Sequence, residues 1–266
     1  YSNPLALNSG EVTSIEKSKD GIYFFGQDVR GVVVYDPNSL RNIEKADGIK
    51  NGRIGTIGYD NSNRLWISQW NGNGGIHRIE NEQVVESIHW EDGLPTNQVF
   101  DFDFSSDGNM WIATNSGLAE CDLNSKKINK YGKDDGLQNI NIRSLSVDQN
   151  DVVWCYTPSG LIRYDGESFT LYTQEDGLVR PRGNGDVNID KKGNIVFSTY
   201  GSGFSIFNGK DFQNYDMSNG MVDGRIWDLA IDSKNNYWLA LDGSGVQMFD
   251  GENFTHYDVE DGVGAG

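Results

Sequence analysis

The sequence predicts an all-β protein, a single β-propeller of six four-stranded blades, and a set of in-phase repeats predicts it. A tag of Asp or Asn, Gly and an apolar residue recurs at Asp47-Gly48-Ile49, Asp92-Gly93-Leu94, Asp135-Gly136-Leu137, Asp176-Gly177-Leu178, Asn219-Gly220-Met221 and Asp261-Gly262-Val263, spaced by 45, 43, 41, 43 and 42 residues. A large apolar residue keeps the same phase: Phe24, Trp66, Trp111, Trp154, Val196 and Trp238. Two further series do so as well. One is Gly followed by an apolar residue, from Gly31-Val32 to Gly245-Val246; the other is an apolar pair three apart, such as Ile128/Tyr131 and Phe169/Tyr172. A fixed period of this length marks a repeat architecture.

Each repeat reads as four short strands. In the fourth copy, Ile142 to Val147 alternates apolar and polar residues, and Asp148-Gln149-Asn150-Asp151 makes a turn. Val152 to Thr157 is β-rich around Trp154, Pro158-Ser159-Gly160 breaks it, and Leu161 to Tyr164 and Ser168 to Tyr172 flank a tight Asp165-Gly166 turn. One four-stranded sheet cannot bury both faces, but blades stacked radially bury each face on a neighbour. The large residue of the second strand then fills the space between blades and is read as packing. The repeats divide near 10–52, 53–97, 98–141, 142–183, 184–224 and 225–266. Residues 1–9 are expected to form an extension, with Pro4 to Leu7 as a clasp along the last blade. The rival count is a seven-bladed ring of which this chain is a fragment.

Composition narrows the function classes. The 266 residues hold 22 Lys plus Arg against 39 Asp plus Glu, a net charge of −17. That field has the wrong sign for a general nucleic-acid binder or a partner of anionic membranes. Seven Trp, 12 Tyr and 12 Phe supply a large aromatic core. No run approaches the ~20 consecutive apolar residues of a membrane span. The chain begins at Tyr1, which suggests a processed or trimmed N-terminus, and carries no signal segment. Cys121 and Cys155 are too few for a disulfide scaffold or a four-ligand zinc site and read as buried thiols or one inter-strand disulfide.

The repeat consensus resembles a known family. The stretches Asp92 to Tyr131 and Asp135 to Tyr172, and above all Trp111-Ile112-Ala113-Thr114-Asn115-Ser116-Gly117-Leu118, are similar to the two-component-regulator propeller repeat. The resemblance implies a periplasmic or extracellular sensing module, often of carbohydrate-utilisation sensors. Propellers of that family usually have seven blades and continue into a membrane span and a kinase. A looser resemblance is to streptogramin-lyase propellers, which share the Trp-centred second strand.

By likeness to propellers in general, function sits on the face that carries the second-to-third loops and the connections from one blade to the next. Arg30, Arg53, Arg180, Arg182 and Arg225 fall there, five of the ten arginines, while most lysines fall in turns of the other face. Arginine suits bidentate capture of carboxylate or sulfate. These side chains read either as an anion site at the axial mouth or as partners of the nearby Asp and Glu. Trp70, in the one lengthened second-to-third loop, reads as a sugar-stacking platform or as a ring folded back on the next blade. Gln98, Asn141, Tyr200 and Trp227 complete a candidate oligosaccharide site, a chemistry shared with protein-binding surfaces.

Three histidines, His77, His89 and His256, are expected in third and fourth strands, away from that face, which argues against histidine-based acid–base catalysis. The Asp-Gly tags read as turn chemistry because every repeat has one. No cofactor is implied, and structural calcium at Asp-rich turns is the one metal left open. Three functions remain: a non-catalytic binding or sensing propeller for a carbohydrate or other anionic ligand; a uronate polysaccharide lyase with Tyr200 as base and Arg182 at the carboxylate; and a structural, protein-binding propeller.

Overall fold

The structure, a computed structural model, describes residues 11–29, 31–36, 39–43, 49, 52–70 and 74–263. It is an all-β propeller fold of six four-stranded antiparallel blades, each a meander with its strands in sequence order. The expected clasp at residues 1–9, the tag at Asp47-Gly48 and Arg30 lie outside the described residues. The chain divides into two compact units, Tyr1–Gly132 and Lys133–Gly266.

The first unit holds three blades. They are β1 (Val12–Lys17), β2 (Tyr23–Gln27), β3 (Val32–Asp36) and β4 (Ser39–Ile43); β5 (Ile54–Tyr59), β6 (Leu65–Gln69), β7 (Gly75–Glu80) and β8 (Gln83–Ile88); and β9 (Val99–Phe104), β10 (Met110–Thr114), β11 (Gly117–Cys121) and β12 (Ile128–Tyr131). The second unit holds β13 (Ser144–Val147), β14 (Val153–Thr157), β15 (Gly160–Tyr164) and β16 (Phe169–Tyr172); β17 (Val187–Ile189), β18 (Ile195–Thr199), β19 (Gly203–Phe207) and β20 (Phe212–Tyr215); and β21 (Ile226–Ile231), β22 (Tyr237–Leu241), β23 (Val246–Phe249) and β24 (Phe254–Tyr257). Among the described residues helix is limited to single 3₁₀ turns that follow the fourth strands of blades.

The in-phase large residues occupy one register. Phe24, Trp66, Trp111, Trp154, Val196 and Trp238 are each second in their strand, opposite Glu16, Gly58, Asp103, Ser146, Asn188 and Ala230 of the first strand. All are buried except Trp238, which is half-buried. The side chains of Phe24, Trp66, Trp154 and Val196 enter cores shared by successive blades. Trp66 packs with Val99, Phe102 and Ile112 of the third blade, and Trp154 with Val187 and Phe197 of the fifth.

In blades two, four and six a carboxylate fixes the hairpin that presents the tryptophan. Asp148 Oδ1 accepts from the backbone N–H of Asn150 (2.8 Å) and Val152 (3.1 Å), closing the β13–β14 turn, and Oδ2 accepts from Trp154 Nε1 at 3.1 Å. Asp60 does the same for Ser62, Arg64 and Trp66, and Asp232 for Lys234, Asn236 and Trp238. One side chain thus closes the turn and satisfies the one polar atom of a core tryptophan, which would otherwise be buried at a cost. In the fifth blade, where Val196 replaces Trp, Asp190 Oδ2 accepts instead from Asn194 Nδ2 at 2.8 Å and from the hydroxyl of Tyr237 in the next blade at 2.7 Å.

The glycine series has a steric cause. A Cβ at Gly160, where φ is 145°, would stand 2.1 Å from the Tyr172 carbonyl oxygen at the end of β16, so only glycine fits. The Asp-Gly tag is a cap. Asp176 accepts from Thr173 N at 2.8 Å around the 3₁₀ turn Gln174–Asp176, Gly177 turns the chain at φ 97°, and Leu178 is buried behind it. Cys121 on β11 and Cys155 on β14 are buried thiols not joined in a disulfide, and burial pushes that of Cys121 up to about 11.

Two outcomes follow. Trp111, buried and stacked on Tyr131 at 5.6 Å, should cost ~3–5 kcal/mol when replaced by alanine, read by urea denaturation. The hairpin carboxylates should impose an acid limit. The Asn236 backbone N–H, then the Trp238 indole and the Asn236 amide, bring the Asp232 carboxyl from 3.8 to about 2. A depressed folded-state value stabilises above the unfolded value and loses that contribution as pH falls through the folded one. Melting temperature should therefore hold above about pH 5 and drop between about pH 4 and 2.

Candidate functional site

The sequence-predicted residues fall into two groups, one in each unit. In the first unit, Arg53 and Gln98 stand immediately before β5 and β9. Trp70, just after β6, folds back onto the neighbouring blade. Its ring centroid lies 5.2 Å from that of Phe100 on β9, and the Arg53 guanidinium sits 5.2 Å from the Trp70 ring. Glu11 lies 4.0 Å from the same arginine. Gln98 Oε1 accepts from Asn115 Nδ2. Both residues are therefore engaged within the protein, and Trp70 is half-buried.

In the second unit the polar groups form a connected cluster. Arg225 precedes β21 and is clamped between two carboxylates. Its Nε and Nη2 donate to Asp223, the shortest at 2.6 Å, and its Nη1 donates to Asp242 Oδ2 at 2.7 Å. The same Asp242 oxygen accepts from the Tyr200 hydroxyl at 2.6 Å, and Asp242 Oδ1 accepts from Trp227 Nε1 at 3.3 Å. Tyr200 and Trp227 pack with ring centroids 4.7 Å apart and planes tilted 53°. Tyr200 is set by a bridge to Arg225 in the next blade and by its backbone N–H, which donates to the carbonyls of Arg182 (3.0 Å) and Asn184 (2.7 Å).

The charges of this cluster are mutually committed. The hydrogen bond to Asp242 raises the Tyr200 pKa above its ordinary 10.0, because a phenolate there would face a carboxylate. The Tyr200 and Trp227 hydrogen bonds hold Asp242 below the usual carboxylate range, and the hydrogen bond to Asp223 leads in raising that of Arg225. With two carboxylates to one guanidinium, the surroundings of Trp227 are not a cationic funnel. Trp227 itself is 56% exposed.

Arg180 and Arg182, five to seven residues before β17, behave differently. Both are exposed and make no ion pair among the described residues, whereas Arg41, Arg64, Arg78, Arg163 and Arg225 all do. Arg182 flanks the Tyr200 loop, its Cδ 3.6 Å from where a Cβ would stand on Gly201. Arg180 borders a cleft of about 430 Å³ that Leu178, Val179 and Met217 also line.

Several placements differ from the expected ones. Asn141 lies three residues before β13 but keeps the position equivalent to Arg53, Gln98 and Arg225: Ser144 faces Tyr156 as Asp101 faces Ala113 and Asp228 faces Ala240, so buried Ile142 matches Ile54, Val99 and Ile226, and Arg143 matches Phe100 and Trp227. Asn141 Oδ1 is buried and accepts no hydrogen bond from a described residue. His89 is not in a fourth strand but just beyond β8, opening the 3₁₀ turn Trp90–Asp92. His77 is buried on β7 between Ser87 Oγ (2.8 Å) and Gln69 Oε1 (3.1 Å). His256, on β24, reaches the Ser244 carbonyl at 2.6 Å in the second-to-third loop. The sequence reading overlooked Asp223 and Asp242. Asp223, two residues before Arg225, was detectable by adjacency; Asp242, 17 residues away, required the blade register.

Among the described residues no group of three or more His, Cys, Asp or Glu is arranged to hold a metal ion, and no helix is long and apolar enough to cross a membrane.

Comparison with known proteins agrees with this architecture. Residues 93–116 match the family described as Two component regulator propeller. No curated protein matches the chain. Among solved structures, the extracellular domain of a protein assigned as a hybrid two component system of B. thetaiotaomicron superposes with a TM-score of 0.81 at 21% identity, covering 99% of this chain and 36% of its own. A second such domain from the same organism gives 0.78 at 18%, covering 96% and 37%. Virginiamycin B lyase from Staphylococcus aureus gives 0.76 at 10%, covering 95% and 86%. At these identities the likeness is one of fold, and the chain spans little more than a third of the two extracellular domains.

The Tyr200–Asp242 bond can be read directly. Asp242→Asn should lower the Tyr200 pKa toward 10.0, since the neutral amide no longer opposes the phenolate, and phenolate absorbance in a spectrophotometric titration reports the shift.

Proposed function

We propose that this chain is a non-catalytic, ligand-binding part of an extracellular or periplasmic sensor, and that it takes a carbohydrate bearing an acidic substituent on the loop face of its second unit. Trp227 carries the proposal. More than half of its surface is open to solvent, while its N–H is tied to Asp242 and its ring is wedged by Tyr200. A flat ring held still and rimmed by groups that donate and accept hydrogen bonds is suited to stacking a sugar. Arg182, beside Tyr200 and without an acid partner among the described residues, supplies the charge for a carboxylate or sulfate. The extracellular sensor domains that share the fold support the sensing role and the compartment.

The lyase reading is weaker on chemical grounds. A tyrosine base must give up its proton near neutral pH, and the Asp242 carboxylate opposes that at Tyr200. Arg225, already committed to Asp223 and Asp242, is not available to a substrate carboxylate without breaking those bonds.

A glycan array followed by calorimetry tests the proposal. Oligouronates or sulfated oligosaccharides should bind, more weakly as salt is added. Trp227→Ala should weaken binding roughly tenfold or more, and Arg182→Ala should cost ~1.5–3 kcal/mol. Retention of no glycan, or equal binding by both variants, would overturn it.

A further inference from the structure

The cleft beside Arg180 is a second place where polar groups stand uncommitted. Leu178 and Val179 are buried and give it an apolar floor, and Met217, 67% exposed, is a flexible apolar wall. Two opposite charges line it. Arg180 makes no ion pair among the described residues. Asp216 uses only Oδ1, which accepts from the Ser218 backbone N–H (2.7 Å) and hydroxyl (2.5 Å); Oδ2 accepts nothing from a described residue. Hydrogen bonding to Ser218 also holds Asp216 below the usual carboxylate range, so it is ionised at neutral pH. The Gln174 amide and the Ser202 hydroxyl, both in the lining, likewise have no side-chain partner among the described residues.

A cation and an anion that share one cleft without pairing with each other are matched by a molecule carrying both charges. The cleft has no aromatic side chain in its lining, so it lacks the platform on which a sugar stacks. The geometry points to a binding site for a small zwitterion with an aliphatic body, a free α-amino acid or short peptide, whose carboxylate meets Arg180 and whose ammonium meets Asp216 Oδ2. The apolar side chain lies on Leu178, Val179 and Met217. Arg180 lies two residues from Arg182 across Pro181, whose ring fixes φ between them, so the two guanidinium groups can serve separate ligands. This site stands independently of the glycan platform at Trp227.

Isotope-labelled full chain should be titrated with leucine and with Leu-Leu, followed by backbone amide shifts. Shifts are expected at residues 174–180, 201–202 and 214–217. N-acetyl-leucine and leucine amide, each lacking one charge, should bind at least about tenfold more weakly, as should both zwitterions to Arg180→Gln and Asp216→Asn. Trp227→Ala should leave this binding unchanged, which separates it from the glycan site. Absence of shifts with both zwitterions, or equal binding of the singly charged analogues, overturns the assignment.

Discussion

In blades two, four and six the hydrogen bond between a hairpin aspartate and a core tryptophan is the contact from which the blade is organised. The first turn of a blade must close, and the large residue that follows must enter the space between blades with its one polar atom satisfied. Asp60, Asp148 and Asp232 meet both needs with the two oxygens of one carboxylate. The turn is thereby rigidly linked to the inter-blade core, and the second strand, buried on both faces in blades two to five, has one register.

That rigid framework lets the loops differ. In the first unit the loop-borne tryptophan is absorbed by its neighbours: Trp70 meets Phe100 and Arg53. In the second unit Trp227 is held at its edge by Asp242 and left open on the surface. The same division separates the arginines. Arg225 is spent on two carboxylates, while Arg180 and Arg182 stand on a connection and make no ion pair among the described residues. In a chain of net charge −17, arginines left in that condition are local exceptions to the prevailing field.

The fold was legible because its determinants are repeated. The tag, the large second-strand residue and the glycine each answer a constraint that every blade meets, so they recur in phase. The glycine that opens β15 is required by a carbonyl of β16, and the tag glycine by a left-handed turn. The site was less legible because its determinants are single. Whether Trp70 or Trp227 is open depends on what the adjacent blade presents, and Phe100 and Asp242 carry no repeat signal. The role of the turn aspartate was visible from the sequence, but its bond to the indole was not, since it appears only when the hairpin folds Trp154 back over Asp148.

The fifth blade departs from the common plan in a way that bears on how the second unit assembles. With valine in place of tryptophan, its turn carboxylate reaches outward to the Tyr237 hydroxyl and to Asn235 Nδ2, while Asn235 Oδ1 accepts from the Lys191 backbone N–H. The other clamps are complete within one blade; this one is completed by the next. A fifth blade without the sixth would leave this carboxylate without its Tyr237 and Asn235 donors. The joint between the last two blades thus combines a shared apolar core with one buried carboxylate whose hydrogen bonds are complete only when both blades are in place.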